Sequence, residues 1–326
     1  MKEILCFGEA LIDFHALASA DAHSPPAFLP HAGGAPANVA VAVARLGGPA
    51  AFVGMLGRDM FGDLLLQQFT DAGVDTTHVA RTDAANTALA FVSHDAHGER
   101  SFSFYRPPSA DLLFRDSDFD ASAFDAAGIF HACSNSLTEA AIAEATLSGM
   151  ARARQANALV SFDMNLRPAL WPRNLDPAPR LWDALAAADV IKLSSEELDF
   201  LAAPLGGEQA VIERLWQHRA KLLLVTHGAD PLRWFTPQHC GNLPTFMVRA
   251  VDTSAAGDAF VGGLLYSLDA AGIGAERLQA ATADSAQRDA WLRFACACGA
   301  LAVTRAGAFA AMPTLAEVQA FLETPA

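Results

Sequence analysis

No stretch of this chain reads GxxxxGK[ST], and Gly is nowhere followed by Lys. A P-loop is therefore excluded as the means of holding a nucleotide. The first apolar run, ILCFG at 4–8, leads into Glu-Ala-Leu-Ile-Asp and not into GxGxxG, which argues against a dinucleotide fold and hydride transfer. The five cysteines form no CxxC pair, so they read as reduced core residues and not as metal ligands or a disulfide frame. No apolar run is long enough for a bilayer, and Met1-Lys2-Glu3 enters the first strand with no secretory pattern. A cytoplasmic protein is expected. Positive charge is scarce: 22 Lys and Arg stand against 36 Asp and Glu, a net charge of −14. Such a surface repels nucleic acid and anionic membranes. It does not forbid a phosphate substrate, because backbone amides can hold one.

The hydrophobic content is high, 52% of 326 residues, enough for one large core with a small appendage. Short apolar runs at 4–8, 50–56, 128–133, 158–164, 190–194 and 221–227 alternate with amphipathic stretches such as Pro36–Leu46, Gly62–Ala72, Thr138–Gln155 and Gly207–Arg219. Gly257–Ala271 and Arg288–Val303 add two further helices. Near-continuous apolar strands between helices predict an α/β fold, its mostly parallel sheet covered on both faces. Residues 11–32 and 84–106 break this rhythm with alternating patterns, and TALAFVSHD with GERSFSFYR predicts a hairpin turning at Asp95–Gly98. A small β lid over a cleft is the natural use of such an appendage. Residues 274–290, Ala-rich and polar, are expected to be a mobile surface insertion.

The segment DTSAAGDAF, residues 252–260, carries the most chemistry. Small residues precede an apolar helix, so backbone N–H groups at its start can face an anion. Taken alone, Asp258 is no more than an acid in a first helical turn. The nonapeptide as a whole resembles the DTxGAGDxF signature of the ribokinase-like (PfkB) carbohydrate kinases. That resemblance implies a ribokinase-like three-layer sandwich, with Asp258 as catalytic base and the amides of Ala255, Ala256, Gly257 and Asp258 as anion hole for the transferred phosphoryl group. Ala255 replaces the usual first Gly; a requirement for positive φ there would cost roughly 1–2 kcal/mol.

The resemblance runs in family order from Gly8 to Pro313. AGGAPAN at 32–38 is similar to the family's N-terminal signature, which implies that Gly33, Gly34 and Asn38 approach the sugar, together with Asp13 of GEALID. KLSSEE at 192–197 is similar to the NxxE element: Ser194 stands where many members carry Asn, Glu197 acts on Mg²⁺ through water, and Lys192 lies on the ATP side. Read without the family, the segment is a helix N-cap with early acids. Thr226 and Gly228 match the nucleotide-binding TxGxxG turn. TRAGA at 304–308 resembles the family's turn that closes over the adenine and helps hold a monovalent cation, which implies Gly307 at the nucleotide and a K⁺ site with Asp252 and Ser254. Three segments, GEALIDF at 8–14, FYRPPSADLL at 104–113 and FDMNLRPALW at 162–171, are similar to the fructokinase and 2-keto-3-deoxygluconate kinase branch. They imply Tyr105, Arg106, Asn165 and Arg167 at the sugar, with a guanidinium neutralising charge between sugar and ATP. Fructose is the expected sugar, MgATP the phosphoryl donor, and a homodimer through the lid the expected assembly.

Overall fold

Within the first apolar run, Ile4 and Cys6 pack into one hydrophobic core while Leu5 and Phe7 pack into another. Successive strand side chains point to opposite faces, so a run apolar at every position must be covered on both. The computed structural model describes residues 1–17, 27–94 and 100–324. In chain order its elements begin β1 (Glu3–Phe7), β2 (Leu11–Ala16), β3 (Phe28–Gly33), α1 (Ala35–Arg45), β4 (Ala50–Gly57), α2 (Met60–Ala72), β5 (Val79–Thr82), β6 (Ala88–His94) and β7 (Arg100–Tyr105). There follow α3 (Ala121–Ala126), β8 (Ala127–Cys133), α4 (Ala140–Gln155), β9 (Leu159–Asp163), α5 (Ala178–Ala187), β10 (Val190–Ser194), α6 (Ser195–Ala202), α7 (Glu208–Trp216) and β11 (Leu222–Thr226). The chain ends with β12 (Leu232–Phe235), β13 (Cys240–Leu243), α8 (Ala256–Ala270), α9 (Leu278–Ala283), α10 (Ser285–Ala302) and α11 (Leu315–Glu323).

The large sheet has nine strands in the order β13-β12-β11-β10-β9-β8-β1-β4-β5. It is parallel from β11 to β5, and β12 and β13 add an antiparallel edge. Helices α1, α2, α8 and α10 bury their apolar sides against one face, and α4 to α7 against the other. The result is the three-layer α/β sandwich expected. Among the described residues no helix is long and apolar enough to cross a membrane.

The segments that broke the rhythm form a second, four-stranded sheet, β3-β2-β6-β7. Strands β6 and β7 pair antiparallel from Leu89↔Tyr105 to His94↔Arg100, as the hairpin pattern required. The turn assigned to Asp95–Gly98 lies outside the described residues. Residues 274–290 are not a loop-like insertion: they hold α9 and the start of α10. Leu278 is fully buried, and the Arg288 guanidinium lies 3.7 Å from the centre of the Trp234 ring. Most polar residues there are exposed, with Thr282 and Arg288 buried, and composition alone does not separate such a pattern from a loop.

Candidate active site

The site forms where the carboxyl ends of the parallel strands meet the start of α8, beneath the inner face of the small sheet. A cavity of about 310 Å³ opens there, lined by residues that include Asp13, Gly34, Asn38, Arg106, Asn165, Arg167, Ser254, Asp258 and Gly307. The location follows from topology, since ligands in open α/β sheets bind outside the carboxyl ends of the strands.

No side chain caps α8, and its N-cap residue is Ala255. Apart from Ala256 N, which donates to the Thr253 carbonyl at 3.4 Å, its first amides are therefore available to an anion, and the helix dipole favours negative charge at that end. Ala255 has φ −113°, so the feared left-handed strain is absent and the Gly-to-Ala departure costs the backbone nothing there. Lys192 projects its ammonium to the same place. A Cβ on Gly257 would lie 3.1 Å from the Lys192 Nζ, so glycine keeps that approach open. Burial works against the charge on Lys192, but Asp163, 3.1 Å away, and Glu197 more than offset it and hold its pKa above the ordinary value.

Asp258 sits in the first turn of α8, buried, and accepts a 2.7 Å hydrogen bond from Asn38 Nδ2. Burial, with Asp163 nearby, pushes its carboxyl up to about 7, against the Asn38 hydrogen bond and the charges of Lys192 and Arg167. A carboxylate with that pKa is a far better proton acceptor near neutrality than an exposed aspartate. Asp13, on the inward face of β2, is likewise pushed up to about 7, by burial and by the charges of Asp252 and Glu9. Its carboxylate packs against Gly33, where a Cβ would collide with it. Gly34 has φ +107°, and a Cβ there would meet the Glu9 carbonyl oxygen and the Ala10 Cα at 2.5 and 2.9 Å. The Gly-Gly pair thus lets β3 turn sharply into α1 and bring Asn38 over Asp258.

Four buried polar atoms around this cavity have no hydrogen-bond partner among the described residues: Asn38 Oδ1, Asn135 Oδ1 and Arg106 Nη1 and Nη2, the last with only an ion-pair contact to Asp111. Buried orphan acceptors and donors are rare unless a ligand or water satisfies them. Two acceptors and the two donor nitrogens of one guanidinium around one cavity suit a polyol, whose hydroxyls both give and take hydrogen bonds.

At the start of α6, Glu197 uses both carboxylate oxygens on backbone amides: Oε1 accepts from Leu166 N at 2.7 Å and Oε2 from Ser194 N at 2.8 Å. With Ser194 Oγ accepting from Glu197 N, this is the capping box that a reading without the family anticipated. Thr226 ends β11, and Gly228, at φ +53° with open space around it, begins the following turn. Asp252 joins two turns: Oδ1 accepts from Ser254 N and Oγ, and Oδ2 from Gly307 N at 3.2 Å.

Tyr105 departs from expectation. It is 67% exposed and stacks edge-on against Phe91 on the outer face of the small sheet, while its neighbour Phe104 lines the cavity. Strand alternation decides this: Arg106 leaves the strand and turns inward, whereas Tyr105 cannot face the same way as Phe104. Sequence reading also missed Glu9, Asn135 and Asp163. Glu9 Oε1 accepts from Asn135 Nδ2 at 2.9 Å and from Ala35 N at 3.2 Å, tying β1, β8 and the start of α1 together. Asp163 Oδ1 accepts from Asn165 N at 3.2 Å and steadies Asn165 at φ +37°. The usable signal was an acid or amide immediately after an apolar strand, a position that a parallel sheet delivers to its ligand edge.

Comparison with known proteins agrees with this geometry. Residues 1–315 match the pfkB family carbohydrate kinase profile. Fructokinase-1 of Zea mays is 42% identical over 321 residues, 98% of this chain and 97% of that one. Fructokinase of Xylella fastidiosa, crystallised with bound ATP, superposes with a TM-score of 0.94 at 58% identity, over 98% of each chain. A Vibrio cholerae O395 fructokinase double mutant in a fructose-, ADP- and potassium-bound form gives a TM-score of 0.86 at 35% identity, over 99% of each chain. The uncapped helix start, the buried acid beside it and above all the match along nearly the whole chain make this protein a member of the pfkB family of carbohydrate kinases.

Proposed function

We propose that the protein is a fructokinase, transferring the γ-phosphoryl group of ATP to the 6-hydroxyl of D-fructose to give fructose 6-phosphate and ADP. The observation that carries the chemistry is Asp258, a buried carboxyl with pKa near 7 at an uncapped helix start. Fructokinase relatives from plants and bacteria support the choice of sugar. In the reaction the sugar hydroxyl donates its hydrogen bond to Asp258, the sugar oxygen bonds to the γ-phosphorus, and the bond from phosphorus to the β–γ bridging oxygen breaks. Asp258 receives the proton as that oxygen becomes acidic, and the amides of 255–258 take the equatorial charge. Lys192 and Arg167 compensate charge on the two sides of the transfer. Asp13, Asn38 and Arg106 orient the sugar.

Magnesium ion, when bound to the nucleotide, neutralises phosphate charge. Both Glu197 oxygens are engaged by amides, and no cluster of three His, Cys, Asp or Glu side chains suited to a metal occurs among the described residues. Glu197 therefore fits a water-mediated role, in keeping with an ion that retains several waters. The turn tied by Asp252 to Gly307 is the proposed potassium site, with Ser254 beside it. The small sheet is the proposed lid, because its inner face supplies Leu11, Asp13, His15, Val92 and Phe104 to the cavity. Its outer face carries a chain of ring contacts, Phe28–Phe91, Phe14–Phe91 and Phe91–Tyr105. A second copy of this chain is the proposed cover of that aromatic face. The free cysteines suit a reducing cytoplasm.

A coupled ADP-release assay with MgATP over fructose, 2-keto-3-deoxygluconate, ribose and adenosine tests the reading. Fructose should give the highest kcat/KM. Turnover should fall when EDTA removes magnesium, and again when potassium is replaced by tetramethylammonium. A higher kcat/KM for the ketodeoxygluconate would overturn the fructose assignment.

A further inference from the structure

A single 3₁₀ turn, Ser134–Leu137, follows β8 at the ligand edge of the sheet and places Asn135 in the cavity wall. The turn is tied from several sides. Ser134 N donates to the Met164 carbonyl at 3.3 Å, Ser136 Oγ to the Cys133 carbonyl at 3.0 Å, and Thr146 Oγ1 to the Ser136 carbonyl at 2.9 Å. Asn135 itself is 6% exposed. Its Nδ2 donates to Glu9 Oε1 at 2.9 Å, whereas its Oδ1 has no partner among the described residues. An orphan acceptor in so fixed a wall is costly unless a ligand donates to it.

The oxygen and nitrogen of a side-chain amide exchange places by a half-turn, so its neighbours decide which end faces a ligand. Here the decision starts from the backbone. Ala35 N, at the start of α1, donates to Glu9 Oε1 at 3.2 Å, and a backbone N–H cannot become an acceptor. Glu9 Oε1 is therefore an acceptor whether or not the carboxyl is ionised, since a proton would sit on Oε2. Facing that oxygen, Asn135 must present its NH₂ and turn its carbonyl oxygen elsewhere. Glu9 is 2% exposed, so bulk water does not compete for the place. Asn38 follows the same logic: its Nδ2 donates to Asp258 Oδ2 at 2.7 Å, which leaves Oδ1 as the second orphan acceptor of the cavity.

We propose that Asn135 is a specificity-determining residue of the sugar site, reading one substrate hydroxyl as a hydrogen-bond donor, and that Glu9 is the positioning residue that sets its amide. The proposal rests on reading the cavity as the sugar site. A hydroxyl can turn its O–H toward Asn135 Oδ1. A hydrogen in place of that hydroxyl leaves the acceptor buried and unpaired. Discrimination of this kind is steep, because the deserted partner sits in the protein, away from water.

Deleting one hydroxyl at a time tests both roles. The substrates are fructose, its 1-, 3- and 4-deoxy analogues, and 2,5-anhydro-D-mannitol, which lacks the 2-hydroxyl; each keeps the hydroxyl at C6, and kcat/KM is read by ADP release. In the wild type at least one deletion should cost about tenfold or more. In Asn135→Ala the fructose KM should rise about tenfold with ATP KM unchanged, and the penalty for one deletion should shrink to about twofold while the others persist. A merely structural role would move every substrate alike, and that outcome, or survival of every penalty, overturns the specificity role. Glu9→Ala should reproduce the Asn135→Ala pattern, and the double variant should have a fructose KM no worse than Glu9→Ala alone. Glu9→Gln keeps an acceptor at Oε1 and should restore the wild-type pattern. KM effects that multiply in the double variant overturn the positioning role. Where Glu9→Ala does not fold, Glu9→Gln decides by itself, because loss of the selective penalty there shows that an acceptor at Oε1 is not what sets the amide. Absence of wild-type turnover on fructose would instead remove the fructokinase reading, and the same deletion series on the sugar that is turned over would decide the role of Asn135.

Discussion

Replacing Asp258 by Asn preserves shape and one hydrogen-bonding oxygen while removing the base and its charge. General-base assistance contributes about 10²–10⁴-fold, so kcat should fall by that factor. The same change should stabilise the fold. Burial moves the Asp258 carboxyl from the ordinary 3.8 to about 7. A carboxyl with a raised folded pKa keeps its full contribution to stability below the unfolded pKa and loses it as pH rises through the folded one. The window is therefore about pH 4 to 7, and the loss by pH 8 is about 4 kcal/mol. Asn has no ionised form to bury, so Asp258→Asn should gain up to about 4 kcal/mol over wild type at pH 8 and almost nothing below pH 4. Urea unfolding across that range reads the stability, and single-turnover ADP formation reads the chemistry. The wild-type kcat/KM should rise with pH toward an apparent pKa near 7, and the variant should lose that limb. Retention of more than about a tenth of turnover, with chemistry rate-limiting, would show that Asp258 is not the base. Equal stability of the two proteins at pH 8 would show that its carboxyl is not buried as described.

Two further outcomes follow from the geometry. Ala255→Gly should be tolerated, because Ala255 already sits at φ −113°; kcat should stay within a few-fold, and urea unfolding should show a loss of up to about 1 kcal/mol from added freedom in the unfolded chain. A kcat loss beyond about tenfold would mean that the methyl group itself acts in the site. Phe28→Glu, at the rim of the aromatic outer face, should convert a dimer to a monomer in light scattering, and a wild-type protein monomeric at micromolar concentration would remove the proposed dimer.

Much of the architecture was legible because its signals are local. Runs such as LLLV at 222–225 and AAFV at 50–53 are apolar at every position, which no half-exposed strand tolerates, and the helices between them left little choice but a covered parallel sheet. The antiparallel edge was not legible. LRWF and CGNL are short and partly exposed, and they acquire strand character by pairing with β11 and with each other. The Ala-rich stretch at 274–290 misled for a related reason: its order comes from contacts such as Arg288 over Trp234, which lie far apart in sequence.

The sequence by itself determined the helix start with small residues around its first turn, the acid within it and the Gly-Gly turn, since each depends on neighbours a few residues away. Tertiary structure decided everything that required partners from distant strands. It set Asp258 against Asn38, 220 residues away, and gave the acid its raised pKa by burial. It turned Tyr105 out and Arg106 in. It also brought Glu9 beside Asn135, 126 residues apart. Spacing along a chain fixes which face a residue can occupy, but the charge, solvation and partners of that residue belong to the folded neighbourhood.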